Sequence, residues 1–468
     1  MEAGFYEADI TPAIGMERPA TYYKIYVERI HDPLKARALV LCDHSKKIAL
    51  VGVDICFLGE AVVERVRKAL PDFTVGLSAS HTHYGGPMGM SPAMKDTPEL
   101  IRKLMNEESV CENSDYTTHL VNQIVTAVKM AEKRLEPVQL SFGTGDAEGI
   151  TFNRGFRMKS GRRATHPGKG NPDIVAPFAP IDTELGVVGF WRKSDSSFLG
   201  CLVNFSCHGT CDGTGATADW PGQMIKTIKA VMGENSGVVY LYGTAGDITQ
   251  IDNQSLAPVE SGPAYSQILG VTTGAEALKV LMKAKKGDVE TFHACTSHLP
   301  VRRRAPSKQS LQEALAIVQQ WKRDTAFHFA KERLILAELI RQSPDFDLEM
   351  QVIQIGPLVI VLLSGELFSG IGLEIKKGSP FPFTWVSSLA NAAFGYIPTA
   401  DAFVPETGGG YETRLTAFSC ASPDTAERII ARAVEMIRSL TPEAVPCGPQ
   451  IQPSLKVWDF GSNAPELD

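Results

Sequence analysis

Two hydrophobic patterns alternate along the chain. Short, nearly continuous apolar runs recur at "KARALVLCD" (35–43), "KIALVGVDICFL" (47–58), "FTVGLSAS" (73–80) and "LGCLVNFSC" (199–207). They continue at "GVVYLYG" (237–243), "LEMQVIQIG" (348–356), "PLVIVLLSG" (357–365) and "FTWVSSL" (383–389). Runs of this length with no polar alternation predict strands covered on both faces. Between them, apolar residues at three- and four-residue spacing predict helices over 60–70, 115–135, 221–233 and 310–342. A last helix over 424–440 carries its own signals: Ser422 as N-cap, Pro423 at the first position, and Thr441-Pro442 as the stop. Strands interleaved with helices predict an α/β fold, a mixed and mostly buried sheet flanked by helices. Residues 157–182, rich in Gly, Pro and Arg, read as one long loop of the kind that covers or binds ligands. A single domain over 1–447 followed by an aperiodic tail over 448–468 is expected.

Composition narrows the function classes. The chain of 468 residues carries a formal charge of −7, which gives no general attraction to nucleic acid or to an anionic membrane. No window approaches the roughly 18 apolar residues of a membrane span. The opening "MEAGFYEADITPAIG" has neither a basic nor an apolar leader region, so no signal peptide is expected. Nine cysteines without a CxxC pair read as reduced thiols, and a cytoplasmic protein without stable membrane association is expected.

Candidate chemistry sits where apolar runs end. "GLSASHTHYG" (76–85) puts His81 and His83 two residues apart, on one face if the chain is extended there. "NFSCHGTCDG" (204–213) puts His208 at a second strand end, and "VLLSGELF" (361–368) puts Glu366 at a third. The carboxyl ends of α/β strands border the ligand crevice. Three or four N, O or S donors meeting there are what zinc requires, and a catalytic ion keeps one position open. Cys207 and Cys211, flanking His208, are weaker candidates because a cysteine-rich closed site suits a structural ion. The other histidines, His328 among them, read by default as hydrogen-bonded surface or core imidazoles. "YLYGTAGDITQ" (240–250) is a strand running into a tight turn that presents Asp247 and Thr249, suited to an anion or to capping a helix.

Seven short motifs in order resemble the neutral (non-lysosomal) ceramidase superfamily, in its catalytic domain. They are "EADITP" (7–12), "SASHTHYGGP" (78–87), "FNRG" (152–155), "NFSCHGT" (204–210), "GTAGDITQ" (243–250), "SGELF" (364–368) and "NAAFGYIPTADAF…GGGYET" (391–413). The resemblance implies a zinc site held by His81, His208, Glu366 and Tyr396, the tyrosine being a ligand that spacing does not suggest. It implies His83 as the active-site histidine beside the metal, Arg154 and Tyr411 as contacts to the scissile amide, and Asp247 on the substrate side. Thr249 stands where the family has a serine, and Ser364 where it has a proline. A threonine there is expected to hold water or substrate by hydrogen bonding rather than to attack.

The reading is a zinc-dependent hydrolase of an amide in a small soluble substrate. An ester, lactone or glycosidic hydrolase on the same site remains open, and so does a zinc protein without catalysis. Arg157, Lys159, Arg162, Arg163 and Lys169 in the long loop are expected to favour a polar or anionic substrate.

Overall fold

The computed structural model describes residues 1–468 apart from 44–45, 90–93, 95, 214, 259, 450, 462–463 and 468. The larger of its two main sheets runs in the order Gly237–Tyr242, Phe198–Phe205, Glu184–Arg192, Glu136–Asp146, Glu2–Asp9, Lys35–Asp43, Lys46–Val53 and Thr74–Ala79. Lys286–Gly287 adds a ninth strand beside Glu136–Asp146. The outermost pair at each end is parallel, and the pairs between them are antiparallel. A second sheet has four strands in the order Phe292–Arg302, Asp345–Ile355, Leu358–Leu363 and Phe383–Ser387.

The apolar runs show why the two sheets stack. Along Lys35–Asp43, Ala38 and Val40 face one core while Leu39 and Leu41 face the other. The Leu39 side is shared with Ile353, Ile360, Leu362 and Trp385 of the smaller sheet, so the sheets bury a common layer between them. The Val40 side packs under helices Glu60–Ala69, Ser114–Glu132, Asp219–Met232 and Pro263–Lys283 through residues such as Val66, Ile124, Ile225 and Ala277. The outer face of the smaller sheet, with Val359 and Val361, lies under helices Ser369–Gly378 and Thr425–Arg438. The layers are therefore helices, sheet, sheet, helices. Burial on both faces is what removes the polar alternation.

Three expectations change in detail. The pattern over 310–342 is two helices, Lys308–Gln319 and Thr325–Gln342. The chain breaks at Trp321, whose φ of 52° is left-handed, and restarts where the Asp324 carboxylate accepts from the Phe327 amide at 3.0 Å. The last helix starts at Thr425 without a side-chain cap, and the Ser422 hydroxyl pairs instead with the Thr425 hydroxyl at 2.9 Å. The stretch 157–182 is not structureless. Gly155–Met158 pairs antiparallel with both Arg163–Thr165 and Ile174–Pro177, a small three-stranded sheet. The described residues of 448–468 form no helix or strand, and no helix of the described chain is long and apolar enough to cross a membrane.

Candidate metal and catalytic site

Strand ends from both sheets converge on one place. Thr74–Ala79 is tied across the sheets to Phe383–Ser387 and the segment that follows it, with the Ser78 hydroxyl 3.0 Å from that of Ser387 and the Leu77 amide donating to Asn391 Oδ1 at 2.9 Å. Beyond these ends the backbone leaves extended geometry at once. His81 has a φ of 61°, a left-handed conformation unusual for a side-chain-bearing residue and held here by its surroundings. The expected extended HxH is therefore corrected: a turn, not a strand, brings the two rings together, their centroids 4.8 Å apart. The same turn aligns with the next strand end. The His83 amide donates to the Gly209 carbonyl at 3.0 Å, which sets the His208 ring 4.6 Å from that of His81. Gly209 is required for this approach, since a Cβ there would lie 2.7 Å from the His81 carbonyl oxygen.

Glu366 and Tyr396 arrive together because Glu366–Leu367 and Tyr396–Ile397 form a short parallel pair in which these two residues are direct partners. That cross-strand register puts the phenol beside the carboxylate, something no sequence spacing reveals. Donor atoms of His81, His208 and Glu366 lie within 4.8 Å of one another, and all three residues are buried.

The hydrogen-bond pattern tests whether a metal suits this cluster. His81 Nδ1 lies 2.9 Å from the Cys56 carbonyl oxygen, and His208 Nδ1 lies 2.9 Å from that of Ile248. Carbonyls only accept, so each Nδ1 carries a proton and each Nε2 is a bare donor atom facing inward, the usual support for a ligating histidine. Glu366 Oε1 sits 3.0 Å from His208 Nε2 and 3.4 Å from His81 Nε2, yet it makes no hydrogen bond. Three unprotonated acceptors thus converge; Arg154 Nη1 and His83 Nε2 approach the two histidine nitrogens, and Glu366 Oε1 is left without a partner, a place for a cation to join the three. A proton answers the same need: burial disfavours the charge on His81, but the Cys56 sulfur and Glu366 lift its ring to about 10. A second group, Cys56 with His81 and His83, is less suited because the Cys56 carbonyl already occupies His81 Nδ1.

Around this floor lies a cavity of about 630 Å³ whose wall includes His83, Arg154, Thr249 and Tyr411 as well as the four ligand candidates. His83 Nε2 is 3.3 Å from His81 Nε2. Burial, with His81 and His208 beside it, holds His83 well below the usual histidine range, so its ring is neutral. Arg154 reaches the centre of the site, Nη2 donating to the Tyr396 hydroxyl at 3.0 Å and to the Gly246 carbonyl at 2.6 Å. Its Nη1 lies 3.2 Å from His208 Nε2, and a guanidinium can only donate, so that nitrogen is indeed bare. Glu412 anchors the guanidinium from behind, accepting from Arg154 Nε at 2.7 Å and from Arg163 Nη1 at 2.8 Å. Buried but flanked by these two cations, Glu412 falls to about 2. Sequence reasoning missed Glu412; the signal available was an acidic residue next to Tyr411 with two arginines in need of a partner.

Asp247 is not where the sequence reading put it. It does not line the cavity: one carboxylate oxygen accepts from the Ser369 amide at 2.7 Å and the other from Asn153 Nδ2 at 2.9 Å. Its carbonyl also accepts from the Arg154 amide at 2.8 Å, so the turn supports Arg154 rather than touching substrate. The loop cations are corrected too, because none of the five lines this cavity. Arg163 is spent on Glu412, Lys169 on Glu260 at 2.5 Å, and Lys159 faces Asp173 in solvent. One feature was not anticipated from the sequence: Tyr22, Tyr23, Ile25 and Tyr26 are exposed along one short segment, of which Tyr22 lines the cavity.

No family model matches the chain. The neutral ceramidase of Pseudomonas aeruginosa is 27% identical over 194 residues, covering 39% of this chain and 26% of that protein, so the matched stretch spans about a quarter of that relative. The crystal structure of the Pseudomonas aeruginosa neutral ceramidase superposes with a TM-score of 0.68 at 19% identity, over 95% of this chain and 76% of that one. A ceramidase solved in complex with C2 gives the same TM-score of 0.68 at 18% identity, over 98% of this chain and 78% of the other. Over nearly its whole length, this chain has the fold of the neutral ceramidases.

Proposed function

We propose that the protein is a zinc-dependent hydrolase of N-acyl amides. The observation that carries this reading is the meeting of three bare acceptors, His81 Nε2, His208 Nε2 and Glu366 Oε1, under a cavity that also holds His83, Arg154 and Tyr411. His81, His208, Glu366 and Tyr396 would hold the ion. When bound, zinc supplies Lewis-acid polarisation and lowers the pKa of water from 15.7 to about 7.

The chain's own groups do the rest. Neutral His83 takes a proton on its free ring nitrogen as water adds to the carbonyl carbon, then returns it to the departing amine nitrogen. General acid–base help of this kind is worth roughly 10²–10⁴-fold. Arg154, fixed from behind by Glu412, directs N–H donors at the place where the carbonyl oxygen gains charge, and the Tyr411 hydroxyl faces the same space. Thr249 holds substrate or water by hydrogen bonding.

The relatives named above are ceramidases, and an amide is the bond their name implies; this chain is read as acting on a smaller N-acyl amine. A second reading, an amphiphile taken from a lipid surface, is favoured by the exposed Tyr22, Tyr23, Ile25 and Tyr26, a segment that reaches the cavity at Tyr22. Elemental analysis of the purified protein, with chelation and zinc add-back, tests the metal. Assay of the zinc-loaded protein on N-acyl amines, esters, lactones and aryl glycosides, in solution and in detergent micelles, tests bond and substrate. Absence of zinc with no activity on add-back overturns the reading, as does faster turnover of a glycoside or lactone than of any amide.

A further inference from the structure

His328 departs from the behaviour expected of a core histidine. It lies on helix Thr325–Gln342 with 5% of its surface exposed, and neither ring nitrogen makes a hydrogen bond. The Tyr22 backbone lies near the ring without completing a bond by strict geometry. Polar side-chain atoms this buried are normally satisfied, and leaving one bare costs about 1–3 kcal/mol. The ring is nevertheless firmly held, by the edge of Tyr22 at 4.5 Å and by Phe329 at 5.2 Å between centroids.

Its place is between two cavities. His328 lines the catalytic cavity and also a neighbouring cleft of about 580 Å³, and Tyr22 and Tyr411 are shared by the same two walls. The rings form a file leading outward from the metal site: Tyr396 to Tyr411 at 5.7 Å, Tyr411 to Tyr22 at 6.3 Å, and Tyr22 to His328. A substrate seated at Tyr411 and extending outward therefore passes His328.

We propose that His328 is a substrate-recognition residue that hydrogen-bonds an uncharged donor–acceptor group, a hydroxyl, on the outer part of the substrate. This rests on the amide-hydrolase reading for the position of the scissile bond. The chemistry selects against a cationic partner and gives the ring itself no charge to offer an anion. Burial, with Lys331 and Arg414 nearby, holds the ring at about 4, so at neutral pH it is an uncharged imidazole with one donor and one acceptor. It offers no countercharge to a carboxylate, and an ammonium meets the cations of Lys331 and Arg414. Lys331 itself is committed, donating to the Glu108 carbonyl at 2.6 Å and the Ser109 hydroxyl at 3.0 Å and pairing with Glu332.

The test uses matched short N-acyl amines in which a terminal hydroxymethyl replaces an ethyl group, on the amine side or on the acyl side. Binding is measured by calorimetry on the full-length zinc-treated chain carrying His83→Ala, so that turnover does not consume the ligand. In at least one pair the hydroxyl compound is expected to bind about tenfold more tightly. Adding His328→Leu should remove that preference while leaving the ethyl compound within about twofold, and His328→Gln, which keeps a donor and an acceptor, should retain part of it. Equal affinity within every pair, persistence of the preference in His328→Leu, or tighter binding of the matching carboxylate overturns the proposal. If His328→Leu melts well below its parent, the Gln variant decides: complete loss of the preference in a folded His328→Gln also overturns it. Failure of the unaltered protein to cleave any amide, with the preference intact, would overturn the amide reading and leave this subsite standing.

Discussion

The floor and the back wall of the cavity solve opposite electrostatic problems with the same residue types. On the floor, His81, His208 and Glu366 turn three acceptors toward one point, and Glu366 Oε1 is left without a hydrogen bond. On the wall, Glu412 is fully buried yet answered on every side, by Arg154, by Arg163 and by the Thr165 hydroxyl at 2.7 Å. Unanswered acceptors in a packed interior are costly unless a cation joins them, whereas answered charges fix geometry. The floor is thus built to receive something, and the wall to hold something still. What it holds is Arg154, a side chain that touches both regions.

The sharpest way to break this comparison is to remove the floor. His81→Ala and His208→Ala are each expected to lose zinc and with it all measurable turnover, checked by metal content and activity on the same preparations. His83→Ala should keep most of its zinc and lose roughly 10²–10⁴-fold in turnover if, as proposed, its task is proton transfer. A metal-free His83→Ala protein would make His83 a ligand and move the floor by one residue.

Breaking the wall should register first in stability. Glu412→Gln leaves Arg154 and Arg163 buried against a neutral partner, and losing one side of such a network costs about 3–5 kcal/mol. The sign with pH follows from Glu412 lying at about 2 when folded, below the ordinary glutamate value of about 4.3. Its contribution is present in full above about 4.3 and is lost as pH falls toward 2. The stability gap between the parent and Glu412→Gln, from denaturant unfolding, should therefore be widest near pH 7 and shrink between about pH 4 and 2. A gap independent of pH would mean that Glu412 matters for packing rather than charge.

Much of this arrangement was legible in the sequence, and the gaps have physical causes. The apolar runs located eight strands because burial on both faces suppresses polar alternation. Phe292–Arg302 escaped because "FHACTSHLPVR" sits at the edge of its sheet with half its positions polar or exposed. Pro263–Lys283 escaped because Gly270 and Gly274 argue against a helix by propensity. In the structure those glycines let it lie directly on Asp219–Met232, where a Cβ would meet Gln223 or Thr227 at 2.4 and 2.7 Å. At the site, strand-end histidines were readable from position alone. Tyr396 needed the family resemblance because its tie to Glu366 is a cross-strand register, and His328 was invisible because its distinguishing mark is the absence of partners.

A subtler probe replaces the link between floor and wall. Tyr396→Phe removes the hydroxyl that Arg154 Nη2 donates to at 3.0 Å, while His81, His208 and Glu366 remain. Zinc should bind more weakly but still bind, with turnover falling more than metal affinity because Arg154 loses one of its anchors. Equal loss of both would mean that the phenol matters to the metal alone.

The smallest effect is expected at Thr249. Its hydroxyl lines the cavity, donates weakly to Gln250 Oε1 at 3.3 Å and accepts from the Ile251 amide at the same 3.3 Å. Among the described residues no histidine or carboxylate bonds to it, and without an adjacent base a hydroxyl is a poor nucleophile. Its methyl group also crowds an attacking oxygen. Thr249→Val keeps the shape and removes only a hydrogen-bonding group, so turnover should fall by about tenfold with zinc content unchanged. Thr249→Ser should stay near the parent rate, because the hydroxyl and not the methyl is used. Mass spectrometry of acid-quenched protein during turnover should find no acyl group on Thr249. A trapped acyl-threonine, or a Thr249→Val protein as inactive as His83→Ala, would instead put a covalent step on the wall of the cavity and end its division into a receiving floor and a merely holding wall.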